Sequence, residues 1–152
     1  LQSHRTPVSH PALRQWDLSE PSIQYLEGEL RREKYDGIIS LHSDEDSDGV
    51  YGFVGGSFLS EHLLKPALQE ASKILPRNDS QVIDGFLAEK GIIREGYLGM
   101  LTAPPGQATK SLEIVFETPS LAPMPLQVAA TVVAVKTILA RYRQLQSYAP
   151  NL

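Results

Sequence analysis

Tyr35-Asp36-Gly37-Ile38-Ile39-Ser40-Leu41-His42-Ser43 is the stretch on which the fold turns. Ile38, Ile39 and Leu41 place apolar side chains on both alternating faces, the pattern of a strand covered by helices on two sides. A strand is therefore predicted over 36–42, inside a sheet. It ends on His42, and a strand end holds an imidazole rigidly where a metal ligand can sit. A second strand, Ser111-Leu112-Glu113-Ile114-Val115-Phe116-Glu117, ends on a carboxylate followed by Thr118-Pro119. Residues 113, 115 and 117 share one face, so Glu113 competes with Glu117 for any role at this strand end. Together the two strand ends suggest half of a hydrolytic metal site.

The elements around these strands follow from caps and periodicity. Ser19-Glu20-Pro21 opens a helix predicted over 20–34, with Ser19 as cap, Pro21 in the first turn and Ile23, Leu26 and Leu30 along one face. Residues 1–19 read as an irregular lead-in, since Pro7 and Pro11 remove backbone donors. Asp44 to Gly49 is an acidic, turn-rich loop, and Val50 to Gly56 a short extended segment. Leu63, Leu64, Ala67, Leu68, Ala71 and Ile74 predict a helix over 60–75, with Pro66 in its first turn or bending it. A shorter helix is predicted over 80–90, capped by Ser80 and ended by Gly91, with Val82, Ile83, Phe86 and Leu87 as its packed side. A long loop follows over 92–110, and a final helix over 125–146 opens at Pro125.

This order predicts an α/β fold: a mixed, mainly parallel sheet flanked by helices on both faces, in one domain over 1–152. Only two or three strands are visible, fewer than the roughly five or six of an average sheet.

Composition narrows the function classes. The chain has 152 residues, 41% hydrophobic and 21% charged, with a net charge of -4. That balance gives no electrostatic reason to expect nucleic acid or an anionic membrane surface as partner. No unbroken apolar run approaches the roughly 20 residues that span a bilayer, and residues 1–16 lack the apolar centre of a signal peptide. No membrane partner is expected, and a cytoplasmic location is the working expectation. Without cysteine there is no disulfide framework and no thiolate zinc site, so a transition metal would rest on His and carboxylate.

Four features in order resemble one known family: Ser19-Glu20-Pro21 opening a helix, the strand ending His42-Ser43, Gly96-Tyr97-Leu98-Gly99, and the strand ending Glu117-Thr118-Pro119. Over residues 17–145 the chain resembles the carboxy-terminal half of a zinc metallocarboxypeptidase domain, in the branch of murein peptide amidases and succinylglutamate desuccinylases. The resemblance implies a carboxypeptidase-like fold with zinc as cofactor. It implies His42 as the third zinc ligand, and Glu117, in preference to Glu113, as the general base. The family's other two ligands form a His-x-x-Glu pair that comes earlier, before residue 17, where the sequence shows none. His42-Ser43-Asp44-Glu45 spells that pair, but the family then requires a histidine well downstream, and His62 is the only later one.

Two functions from different classes follow from the resemblance. One is zinc-dependent hydrolysis of an amide bond in a small peptide or N-acyl amino acid. The other is a catalytically incomplete fragment acting as a binding or assembly module, self-associating or pairing with the missing amino-terminal half. His4, His10 and His62 read as surface residues, and Tyr51 and Tyr97 as ordinary packing rather than cleft lining.

Asp44-x-Asp46-x-Asp48-Gly49 matches the start of a calcium loop. Its twelfth position, however, is Gly55 where a bidentate Glu belongs, and a strand precedes it, so the loop reads as solvated. The family resemblance implies that the loop overhangs the zinc site, where it would repel or select charged substrate groups such as a free amine.

Overall fold

In the computed structural model, residues 35–94 and 112–148 are described, together with the helical residues Pro21, Tyr25 and Glu29. Those three are helical, as expected over 20–34; the rest of that segment, most of the 92–110 loop, His4, His10 and Tyr97 lie outside the described residues.

Six strands form one mixed sheet. They are β1 (Gly37–Asp44), β2 (Tyr51–Val54), β3 (Val82–Ile83), β4 (Phe86–Glu89), β5 (Ile92–Ile93) and β6 (Leu112–Pro119). Their spatial order is β1-β6-β2-β5-β4-β3. β1 runs parallel to β6 and β2 parallel to β5, whereas β2–β6, β3–β4 and β4–β5 are antiparallel. The mainly parallel sheet expected from the sequence is thus corrected to two parallel and three antiparallel pairs. β1, expected inside the sheet, ends this order among the described residues, with Leu41 49% exposed.

The main correction lies over 80–90, where two reverse turns replace the predicted helix. Asp84 and Gly85 adopt φ of 53° and 81°, and Lys90 and Gly91 φ of 52° and 74°. Consecutive left-handed residues match the right-handed twist of flanking strands and fold the chain into tight hairpins. Val82, Ile83, Phe86 and Leu87 therefore face one another across β3 and β4, as Val82–Leu87 and Ile83–Phe86, instead of lining a helix.

Helix α1 (Lys65–Ala71) has Pro66 in its first turn and follows a π-helical turn, Ser60–Leu64. Proline has no N–H to close the usual i→i−4 bond, and of the two placements anticipated for Pro66 the first turn is the one observed, directly after the π-helical turn. Helix α2 (Met124–Tyr148) is two residues longer than predicted at its carboxyl end. Both pack on one face of the sheet, where Val54, Ile114 and Phe116 meet Leu63, Leu64, Ala67, Leu68, Ala130, Ala134 and Ile138. The approach is close at Gly52, where a Cβ would lie 2.9 Å from Leu64 Cδ1 and 2.5 Å from the Val115 carbonyl oxygen.

By length and composition, α2 could cross a membrane, although its apolar residues do not form an unbroken run. Here Ala130, Ala134 and Ile138 on it are buried in the core. The opposite face of the sheet carries a smaller cluster, Tyr51, Phe53, Ile83 and Ile93, with no residue of α1 or α2 in it.

Candidate functional site

β1 and β6 are in register over their whole length, and His42 pairs with Glu117. β2 lies on the other side of β6, and there Tyr51 pairs with Glu117. Register partners on neighbouring strands point to the same face, so His42, Glu117 and Tyr51 form one row across three strands. Asp44, two residues beyond His42, shares that face.

Glu117 has no exposed surface, and among the described residues neither Oε1 nor Oε2 has a hydrogen-bond partner. Its carboxyl is pushed up to about 8, mainly by burial and further by the charges of Asp44 and Asp84. Desolvation penalises the carboxylate, and like charges nearby add to the penalty. Buried polar groups are normally satisfied, so an orphaned carboxyl at a strand end is a candidate functional group. Glu113 sits four residues back, partly exposed and paired in register with Ile38.

Tyr51 anchors the remaining carboxylates. Its hydroxyl lies 3.0 Å from Asp44 Oδ2 and 2.9 Å from Asp84 Oδ2, while Asp44 Oδ1 accepts the Asp46 N–H at 2.9 Å. Burial first, then Glu117 and the bond to Asp84, raise the phenol well above its usual range. Tyr51 thus packs in the smaller cluster, as expected, while its hydroxyl bonds the carboxylates beside the row. Asp44 is 3% exposed, which corrects the expectation of a wholly solvated loop; Glu45, Asp46 and Asp48 are exposed. Asp84 reaches the row from the β3–β4 turn.

The strand ends are braced from the helical face by Gln127, near the start of α2. Its Oε1 accepts the hydroxyls of Ser43 (3.2 Å) and Thr118 (3.3 Å), and its Nε2 donates to the carbonyls of Ser120 (3.1 Å) and Ala122 (2.7 Å). Thr118 Oγ1 also lies 3.3 Å from the His42 carbonyl oxygen. One buried amide thereby ties the residues flanking His42 and Glu117 to α2. Sequence reading missed Gln127 and Asp84; the signal for Asp84 was the Asp-Gly pair between apolar residues. His62 is exposed, its ring centroid 4.4 Å from that of Phe58.

Comparison with known proteins bears on the fold. No protein-family model matches the chain, and no curated protein matches it. Solved structures do. A protein of Shewanella denitrificans OS217 described as a "putative metallopeptidase" superposes with a TM-score of 0.64 at 18% identity, over 86% of this chain and 51% of its own. Proteins of the same description from Shewanella baltica OS155 and Shewanella amazonensis SB2B give TM-scores of 0.56 and 0.55 at 21% and 17% identity, each over 78% of this chain and 43% of theirs. The chain shares its fold with part of these proteins. It spans about half their length or less.

A metal ion needs several donors converging on one point. Among the described residues no three His, Cys, Asp or Glu side chains group so as to hold one. His42 and the orphaned Glu117 suit one ligand and one base, but the described donor set does not make a metal site by itself.

Proposed function

We propose that this chain is the carboxy-terminal part of a metallopeptidase-like domain that hydrolyses an amide bond in a small peptide or N-acyl amino acid. The observation that carries the reading is the row His42–Glu117, a histidine in register with a buried carboxyl that has no partner on either oxygen. The fold likeness to the Shewanella proteins supports it.

In this reading Glu117 is the general base. A carboxyl raised to about 8 is, once ionised, a stronger base than an ordinary glutamate, and its oxygens, unpartnered among the described residues, can then orient a water and take its proton. His42 contributes one zinc ligand, and the other ligands come from outside the described residues. Zinc, when bound, supplies Lewis-acid polarisation of the amide carbonyl. Gln127 and Thr118 keep the two strand ends from drifting apart.

The second reading, a catalytically incomplete binding or assembly module, draws on the incomplete ligand set among the described residues. In that reading the edge of β1 is where a further polypeptide adds strands.

The test is hydrolysis of a panel of N-acyl amino acids by the complete protein and by Glu117→Gln. Turnover in the wild type and its loss in the variant, by at least about a hundredfold, support the enzyme. No turnover in either favours the module.

A further inference from the structure

Helix α2 is apolar on two sides. Its sheet side carries Gln127, Ala130, Ala134 and Ile138, all buried. At about 100° per residue, Val128, Val132, Val135 and Leu139 form a second stripe turned well away from that side. Val128, Val132 and Leu139 are 54%, 45% and 44% exposed. In the most apolar stretch of the helix only 22% of the residues are buried. A helix that is apolar all round is normally covered all round, so the second stripe calls for a partner.

Its spacing, its charges and its place on the sheet describe that partner. The steps from Val128 to Val132, Val135 and Leu139 are four, three and four residues, the seam by which one helix packs on another. Lys136 and Arg143 follow Val132 and Leu139 by four residues each and so flank the seam, while α2 contains no acidic residue. A matching helix therefore carries Asp or Glu beside its apolar face, which a second copy of α2 does not offer. The helix runs along β1: Gln127 bonds Ser43 at one end, and Tyr142 feels the charge of Asp36 at the other. The turn leading into α1 lies toward β2, where Leu64 meets Gly52, so the flank of α2 away from α1 is on the β1 side. β1 ends the strand order among the described residues. Its Leu41 is in register with the core residue Phe116, hence on the helical face, and is 49% exposed. Packed helices stand about 8–10 Å apart and strands about 4.8 Å, so a helix beside α2 has its floor on strands beyond β1.

We infer that the outer stripe of α2 and Leu41 of β1 form one docking surface for a strand–helix unit of the same domain, lying outside the described residues. The strand of that unit extends the sheet past β1, and its amphipathic helix, flanked by Asp or Glu, packs on Val128, Val132, Val135 and Leu139. The inference deepens the reading of this chain as part of a larger domain and rests on it for the source of the unit. The chain spans about half or less of the solved structures that share its fold, which leaves room for such a unit.

The test is thiol accessibility. The chain has no cysteine, so Leu41→Cys, Val132→Cys and Leu139→Cys each introduce its one thiol, with Gln144→Cys, exposed on another side of α2, as control. Each variant is labelled with iodoacetamide under native conditions, in this chain alone and in the complete protein, and read by mass spectrometry of the labelled peptide. The three surface thiols should react freely in this chain alone and at least about a hundredfold more slowly in the complete protein, where labelling waits for local opening. The control should react alike in both. Adding Lys136→Glu/Arg143→Glu to Val132→Cys should restore labelling of the complete protein severalfold, because the flanking charges then repel. Equal labelling in the two proteins would overturn the inference. So would protection of this chain alone that is lost on dilution, which makes a second copy the occupant, or protection that appears only with phosphatidylserine vesicles, which makes it a lipid surface. Turnover plays no part in the readout: protection without hydrolysis of any acyl amino acid removes the enzyme and leaves the surface, and hydrolysis without protection does the reverse.

Discussion

His42 and Glu117 are register partners on the parallel strands β1 and β6, and the pairing sets an imidazole beside a carboxyl group that no donor reaches. The relationship follows from the backbone: strand spacing of about 4.8 Å and in-register pairing put the two side chains side by side on one face whatever their rotamers. The braces on the opposite face, Gln127 and Thr118, hold that register where the strands end.

The buried Glu117 makes stability depend on pH in a stated direction. Its folded pKa of about 8 stands above the ordinary value of 4.5, so between these limits the folded chain holds a proton that the unfolded chain has released. The contribution is fully present below pH 4.5, is lost as pH rises to about 8, and is level above it. The slope is ~1.4 kcal/mol per pH unit. Urea denaturation of the metal-free chain from pH 5 to 9 should show this decline, and Glu117→Gln should flatten it and be the more stable protein at pH 8.

Tyr51→Phe removes the phenolic hydroxyl that lies within hydrogen-bond reach of both Asp44 and Asp84. The pair loses that buried donor, and the variant should be destabilised by about 1–3 kcal/mol. The β3–β4 hairpin should loosen with it, read as faster amide exchange at Ala88 and Arg94, whose N–H groups bond to Gln81 and Leu87. Unchanged stability and exchange would mean that the phenol is not the anchor of Asp84.

Gln127→Leu is close in volume but removes two acceptor and two donor contacts from the strand ends. The expected cost is about 2–3 kcal/mol, because buried hydroxyls and carbonyls are left without partners. If the amide acts by positioning, kcat of the complete enzyme should fall while the pH dependence of the remaining activity keeps its shape.

Much of this arrangement was legible in the sequence, and the rest was hidden for physical reasons. β1 and β6 declared themselves through Ile38, Ile39 and Leu41 and through Ile114 and Phe116, each prediction falling short by two residues at the carboxyl end. The hairpins did not, because Val82, Ile83, Phe86 and Leu87 have a spacing that satisfies a helical face and two strand pairs equally. The left-handed Asp84-Gly85 turn decided between them, and the dipeptide was there to be read. The direction of the sheet pairs could not be read at all, since β2, β3 and β5 are too short to show a period. Asp44 reads in the sequence as a solvated loop residue, because its burial comes with contacts to Tyr51, whose hydroxyl also meets Asp84, forty positions away along the chain. His42 and Glu117 were both named from the sequence; their shared register was not, because it is set by strand pairing.

The most direct measurement is zinc content per chain, by elemental analysis of the complete protein purified with zinc and without chelator, for wild type and His42→Ala. The account predicts one zinc in the wild type and its loss in the variant. Equal zinc in both, or none in the wild type, would contradict the assignment of His42 as a ligand and with it the metallopeptidase-like reading of the site.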